Sequence, residues 1–380
     1  MKKRDANVDL IRVLACLSVI GLHVNTISSG SADFSKVLWR LVFADGVAFF
    51  FIVMGFFLFQ NESFGKLLKK TGVKIFIPAF IVMALSKLFY PWIMHQASFF
   101  ECFQITKEDI VELFTCILNW SAGDFMADHL WYLFVYAQVL LLFPILKLLC
   151  PGIHRTEENA KTLKYRLYLI TFTFLMMVIE DIQAIEVLPI HIGCIFPILI
   201  PAVYAVAGYT IYENREKIKR DFRIPLVAGI VFILVQILRF LMEYQLIGAG
   251  SEASFLNWKN SFAFVATVCM IIVLLAIPLK ENRFSSAICF LGSLNYSIYL
   301  VHYGLYAILQ WRGLQDRVAE FVGSDSPTLL DSTALQEILF LGIRIIVVFT
   351  VSFAVSLTVY FIKKGLRTVK KRYPIKTREQ

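Results

Sequence analysis

The stretch VDLIRVLACLSVIGLH, residues 8–23, is apolar enough to enter a bilayer and yet carries Asp9, Arg12 and His23. An ionisable side chain inside a span costs a few kcal/mol on insertion scales, so each needs a partner, a wet cavity or a chemical task. In a helix the eleven steps from Arg12 to His23 return to within about 20° of the same azimuth and rise ~16 Å. Both therefore face one cavity, with Arg12 near the cytoplasm and His23 in the outer third. Asp9, one turn before Arg12, is its natural ion-pair partner, and that pairing accounts for Arg12 as well as a chemical task does.

Outward from this stretch the chain keeps the same character. Of 380 residues, 58% are hydrophobic, 15% aromatic and 17% charged, against roughly 45–50% apolar and about 25% charged in soluble domains. The mean hydropathy is +0.69, and a soluble fold has too little interior for 35 Phe. A water-soluble enzyme is excluded. Ten stretches reach the ~20 residues that a hydrocarbon core of about 30 Å demands. They run from Val8 to Ile27, Val37 to Phe59, Val73 to Trp92, His129 to Leu149, Tyr165 to Glu180, His191 to Tyr212, Phe222 to Tyr244, Trp258 to Leu279, Ala287 to Trp311 and Leu335 to Ile362. The expected fold is an all-α polytopic membrane protein, a bundle of about ten transmembrane helices. Residues 1–364 form one membrane domain and residues 365–380 a short basic tail.

The basic residues set the orientation. Lys and Arg on, or within two residues of, the two ends and the loops after spans two, four, six and eight number 27, against 5 on or beside the opposite loops and 5 deeper within spans. Basic loops stay cytoplasmic, so both termini are expected inside, and an odd number of spans would spoil the bias. The net charge of +9 is thus topology rather than a nucleic-acid surface, since no basic segment is interleaved with stacking aromatics outside the spans. Met1 to Arg4 followed by an apolar run has the look of a signal peptide, but Asp9 and Arg12 interrupt the run and no small-x-small site follows; it reads as a retained first span. Seven cysteines without a C-x-x-C pair argue against a metal or redox site. Cys102 and Cys116 share an outer loop and are close enough in sequence to pair.

The remaining polar groups at membrane depth converge. The ninth span carries Asn295, Tyr299 and His302 at i, i+4 and i+7, a stripe on one helix face. His302 lies fifteen residues past Ala287, and His23 lies fifteen past Val8, so the two sit at matching depth. His129 opens the fourth span on the outer side, ahead of Trp131 and Tyr132. A lone intramembrane histidine is usually a packing residue; three near one depth point to function. On the cytoplasmic side Lys66, Lys69, Lys70 and Lys74 precede Pro78, which positive-inside bias explains and which would also suit a polyanionic donor. In the outer loop, Thr106 and Asp109 begin an amphipathic run with apolar residues at helical spacing, expected as an interfacial helix or a lid.

With these residues in hand the chain resembles the acyltransferase-3 family of integral-membrane O-acyltransferases. Arg12, ten residues and His23 match the family's first-span pattern, with Asp9 in its usual place. DGVAFFFIVMGFFL at 45–58 resembles the second-span signature, with Met54 where a Ser is usual. VKIFIP at 73–78 resembles the basic motif before the third span; Lys74 stands in place of an Arg, and its partner is Lys70, shifted by one residue, or Thr71. HLWYL at 129–133 and GSLNYSIYLVH at 292–302 resemble two further span signatures.

The resemblance implies transfer of an acyl group, usually acetyl, from cytoplasmic acetyl-CoA or another acyl-CoA to a hydroxyl of an extracytoplasmic or lipid-linked glycan. The acyl-CoA is a donor substrate, and no permanently bound cofactor or metal is implied. His23, Arg12 and His302 are the expected catalytic group; Arg12, Lys70 and Lys74 the donor-binding group; His129, Trp131, Tyr299 and Asn295 the acceptor-binding group. The ~16 Å from Arg12 to His23 matches an extended pantetheine arm, so phosphates at Arg12 would place a thioester at His23. His23 is then a general base, or takes the acyl group itself. Partners are the lipid bilayer, the glycan acceptor and, where no secreted domain is appended, a separate envelope-biosynthesis protein; the location is the cell membrane. The competing readings are a transporter or exporter of an envelope precursor or small solute, and a scaffold without chemistry, which leaves the buried cation and histidines unexplained.

Overall fold

In a computed structural model of the chain, residues 4–24, 34–60, 63–93, 98–103, 106–118, 128–151, 160–184, 199–248, 254–323 and 334–372 are described. Among them every regular element is helical. These are α1 (Ala6–Val24), α2 (Phe34–Phe43), α3 (Gly46–Leu58), α4 (Phe64–Thr71), α5 (Ile77–Ile93), α6 (Lys107–Leu118), α7 (Trp131–Leu141), α8 (Phe143–Leu149), α9 (Ala160–Ala184), α10 (Leu199–Glu213), α11 (Arg215–Arg220), α12 (Arg223–Gly248), α13 (Ser261–Ala276), α14 (Arg283–Trp311), α15 (Leu314–Phe321) and α16 (Ala334–Arg372). Backbone polar groups have no water to turn to in hydrocarbon, and a helix satisfies them internally.

Seven described stretches are long and apolar enough to cross a membrane: Ala6–Val24, Val37–Leu58, Phe64–Phe89, Lys161–Gln183, Arg223–Leu246, Arg283–Trp311 and Leu335–Gly365. An eighth arises if α7 and α8, bent by 62° at their junction, count as one span. Pro144 sits in the first turn of α8; it has no N–H to offer the preceding turn, and the helix breaks there. Two of the ten stretches read from sequence fall short for visible reasons. Ser261–Ala276 is apolar but only 16 residues long, and residues 191–198 of the sixth lie outside the described region, which leaves Leu199–Glu213.

Burial sorts the helices into an inner and an outer set. α1, α3, α10 and α13 supply most of the interior, including Ile11, Ala15, Ile20, Phe51, Phe56, Tyr204 and Ile271. On α12, by contrast, Leu226, Ile230, Ile233, Leu234, Ile237, Leu238 and Leu241 are exposed. Residues at this spacing cover one continuous helix face, and an apolar face turned outward suits acyl chains rather than water.

Glycine lets the inner helices touch backbone to backbone. A Cβ on Gly55 of α3 would stand 1.9 Å from the carbonyl oxygen of Ala205 in α10, and one on Gly208 would stand 2.1 Å from that of Ile52. Gly292 of α14 packs on Asp9 of α1, where an added Cβ would meet the side chain at 2.6 Å. Small residues at a crossing let dispersion act where no hydrophobic drive exists between helices.

Charged groups inside the bundle are mostly neutralised in pairs. Arg239, wholly buried on α12, donates to both carboxylate oxygens of Asp45 at 2.8 and 3.1 Å. Arg166 pairs with Glu213 at 3.0 Å. Glu243 accepts from the Phe255 amide at 2.8 Å and lies 3.6 Å from Arg40. In the segment between α5 and α7, α6 forms as its amphipathic pattern predicts, with Ile110, Val111 and Phe114 exposed. Cys102 is a free thiol that donates to the Ser98 carbonyl, so it is not disulfide-bonded.

Candidate functional site

α1 and α14 pack side by side and bring their polar residues together. The ring centres of His23 and His302 are 5.4 Å apart, those of His129 and His302 4.8 Å, and those of His23 and His129 6.3 Å. The matching depth read from helix counting is therefore a contact. Among the described residues no group of three His, Cys, Asp or Glu is arranged to hold a metal ion.

Two of the three imidazoles are fixed by the backbone. His302 Nδ1 lies 2.6 Å from the Tyr299 carbonyl and His129 Nε2 lies 3.3 Å from that of Leu300. A carbonyl only accepts, so each of these nitrogens carries the proton. In the neutral rings the opposite nitrogens, His302 Nε2 and His129 Nδ1, then bear lone pairs; both are buried without a hydrogen-bond partner. His23 differs, being only partly buried. Tyr303, four residues past Tyr299, completes the cluster with its ring 4.9 Å from His23 and 5.3 Å from His129. The i, i+4 spacing was the signal for Tyr303, which the stripe of Asn295, Tyr299 and His302 passes over.

On the Arg12 side of this cluster lies a cavity of about 550 Å³. Arg4, Arg12, Lys70 and Lys74 line it, together with Tyr132, Asn295, Tyr296 and Tyr299. Asp9 is held by Arg4 and by Arg12, the latter at 3.2 Å. The expected Asp9–Arg12 pair is therefore present, with Arg4 as a second cation that span-by-span reading left out. Arg12 also stands over the Phe57 ring at 4.8 Å. Lys74 lies in a π-helical turn, Gly72–Phe76, that joins α4 to α5. Such a turn frees a carbonyl from the regular ladder, and the Ile75 carbonyl accepts from the Tyr296 hydroxyl at 2.5 Å.

Tyr299 separates cavity from cluster. Its ring lies 5.8 Å from Phe50 and 6.0 Å from Tyr132, both cavity residues, and 5.7 Å from His302. Its hydroxyl donates to the His129 carbonyl. Phe57, beside Arg12, and Phe50, beside Tyr299, are seven residues apart on α3, which puts the two ends of the cavity ~10 Å apart. Arg12, Lys70, Lys74, Asn295 and Tyr299 thus share one cavity, and His23, His129 and His302 share the next layer. Trp131 stands apart, stacked on Trp258 at 5.8 Å.

No curated protein and no solved structure matches the chain. A family model does, that of the acyltransferase domain of the acyltransferase-3 group, over residues 5–360. The match takes in α1 with Arg12 and His23, the basic π-helical turn and the whole of α14. This multi-pass helical membrane protein belongs to the acyltransferase-3 family.

Proposed function

We propose that the protein moves an acetyl group from cytoplasmic acetyl-CoA to a hydroxyl of an extracytoplasmic or lipid-linked glycan. One observation carries the reading: a single helix, α1, sets Arg12 in a cation-lined cavity and His23 in a histidine cluster beyond it. The ~16 Å between them suits a donor whose phosphates stay at Arg4, Arg12, Lys70 and Lys74 while its thioester reaches the histidines. The cavity supports this assignment of ends because its cations gather where the cytoplasmic lysines enter. Ten spans with both termini in the cytoplasm, as the distribution of Lys and Arg favours, put that end inside the cell membrane and the histidines toward its outer face.

In the proposed reaction His23 takes the proton of the acceptor hydroxyl as its oxygen attacks the thioester carbonyl. The tetrahedral intermediate expels the CoA sulfur, which leaves as the thiol with that proton, and the acceptor keeps the acetyl ester. His23 suits the base because it alone of the three rings is partly exposed and, among the described residues, has neither nitrogen tied to a carbonyl. His302 Nε2 and His129 Nδ1, fixed as acceptors, orient His23 and the sugar hydroxyls. Asn295 and Tyr299 line the path along which the acyl group travels, and Trp131 contributes through its packing on Trp258 rather than by direct contact.

The test is transfer of labelled acetyl from acetyl-CoA, supplied to one face of liposomes holding the purified protein, to envelope glycan on the other face. His23→Ala should insert normally and lose transfer by about 10² or more. Movement of a glycan precursor across the membrane without acetyl-CoA binding would establish the transporter reading instead.

A further inference from the structure

Three arginines are wholly buried in the bundle, and the chain neutralises two of them. Arg239 has Asp45 and Arg166 has Glu213. Arg344 on α16, with 1% of its surface exposed, has no carboxylate within ion-pair distance among the described residues. Its Nη2 donates to the Tyr306 hydroxyl at 3.0 Å and to the Gln310 side-chain oxygen at 3.3 Å. Its Nε and Nη1 are buried without a hydrogen-bond partner. The Phe340 and Tyr306 rings lie 4.9 and 5.7 Å from the guanidinium. Ring faces soften a cation by their quadrupole and leave its charge in place. A guanidinium does not neutralise by losing a proton, so a buried one without a counter-ion is stable only if something else brings the anion.

Its position says what brings it. Tyr306 and Gln310 follow His302 on α14 by four and eight residues, on the face that carries Asn295 and Tyr299. Arg344 therefore meets α14 ~6–12 Å beyond the histidines, on the side away from the Arg12 cavity. The donor's phosphates have their cations at the other end. We propose that Arg344, with Tyr306 and Gln310, is an anion subsite for the acceptor, binding a carboxylate or phosphate borne by the glycan one sugar unit away from the acetylated hydroxyl. The acceptor is then an anionic glycan rather than a neutral one. The identity of this ligand rests on the acyl-transfer reading; the anion binding itself does not.

The experiment reads thermal unfolding of the purified full chain in detergent, with ionic strength held constant by chloride. Glucuronate carries the sugar carboxylate and glycerol phosphate the phosphate; glucose and glycerol are their neutral counterparts. At least one anion should raise the midpoint saturably by a few degrees, and the neutral compounds should not. Glucuronate alone identifies an acidic sugar, and glycerol phosphate alone a phosphate. The shift should survive Lys70→Gln with Lys74→Gln, which strips the opposite cavity, and vanish in Arg344→Gln. Should Arg344→Gln fail to fold, Gln310→Glu replaces it. That near-isosteric change gives Arg344 a carboxylate of its own, so it should raise the midpoint without ligand and abolish the anion shift. An anion shift that is absent from the wild type, matched by the neutral sugars, or unchanged in Arg344→Gln or Gln310→Glu overturns the subsite. Loss of acetyl transfer activity from the wild type, with the anion shift intact, would instead overturn the reaction and leave the subsite standing.

Discussion

His302 donates through Nδ1 to the carbonyl of Tyr299, one turn earlier on its own helix, at 2.6 Å. The bond fixes which nitrogen is protonated and leaves the Nε2 lone pair buried without a partner, in a ring whose centre is 5.4 Å from that of His23 and 4.8 Å from that of His129. Substitutions can therefore separate the two edges of the ring. In His302→Asn the side-chain amide can still donate to the Tyr299 carbonyl but offers nothing at the Nε2 position. It should fold with little change in unfolding midpoint and lose acetyl transfer by about 10². His302→Gln, which can reach the Nε2 position, should retain more. Equal activity in both variants would show that the lone pair has no part in transfer.

Arg12 shares Asp9 with Arg4. Removing Arg12 therefore leaves the buried carboxylate with a cation, and Arg12→Ala should express nearly as well as the wild type. Its effect should fall on the apparent KM for acetyl-CoA, raised about tenfold or more, with kcat little changed. Arg12→Lys, which keeps the charge and loses the planar fork, should lie between. Acetyl-CoA affinity of the wild type should also fall as salt rises, since screened charge draws the donor to the four cations.

The helix crossing at Gly55 and Gly208 has no room for a methyl group, since each Cβ would enter a backbone carbonyl. Gly55→Ala and Gly208→Ala should each cost about 3 kcal/mol or more. Gly65 and Gly304 have nothing within 4 Å of an added Cβ. Alanine there should be neutral or stabilising by up to about 1 kcal/mol, as expected for a helix interior. Thermal unfolding of the four variants side by side checks the packing of the inner helices directly.

Asp45 and Arg239 are separated by 194 residues and joined by two hydrogen bonds. Asp45→Asn should strand the guanidinium and cost ~3–5 kcal/mol. The double change Asp45→Asn with Arg239→Met removes both charges and should recover most of that loss, measured as the unfolding midpoint. A double variant no better than the single one would mean that the pair does more than neutralise itself.

The convergence of His23 and His302 was legible because helix periodicity converts residue counts into depth and azimuth, and each stands fifteen residues into its span, from Val8 and Ala287; His129 followed from its place at the start of the fourth span. The Asp9–Arg12 pair was legible for the same reason, being local. Partners distant in the chain were not: no periodicity links Arg239 to Asp45 or Arg166 to Glu213, and Arg344 looked no different from Arg239 until their surroundings could be compared. The span count drawn from hydropathy treats each apolar run as one rod. Pro144 shows the limit of that rule, since it bends the fourth run by 62° while leaving its composition unchanged. Trp131 was placed with the acceptor site because HLWYL resembles a family signature; a helix turns its face by 100° per residue, and two positions past His129 the side chain stacks on Trp258.

The backbone contact between α3 and α10 has a mechanical consequence. With carbonyls set directly against glycines, these two helices have no compressible layer of side chains between them, and they move as one plank. α3 supplies Phe50, Met54 and Phe57 to one wall of the cavity, so that wall is stiff. The facing wall, at Lys70, Lys74 and Ile75, belongs to a short helix and a π-helical turn whose tie to α14 is the Tyr296 hydroxyl bond. Compliance in the cavity is therefore one-sided: the basic wall yields first, while the aromatic wall keeps the register between Arg12 and the histidines.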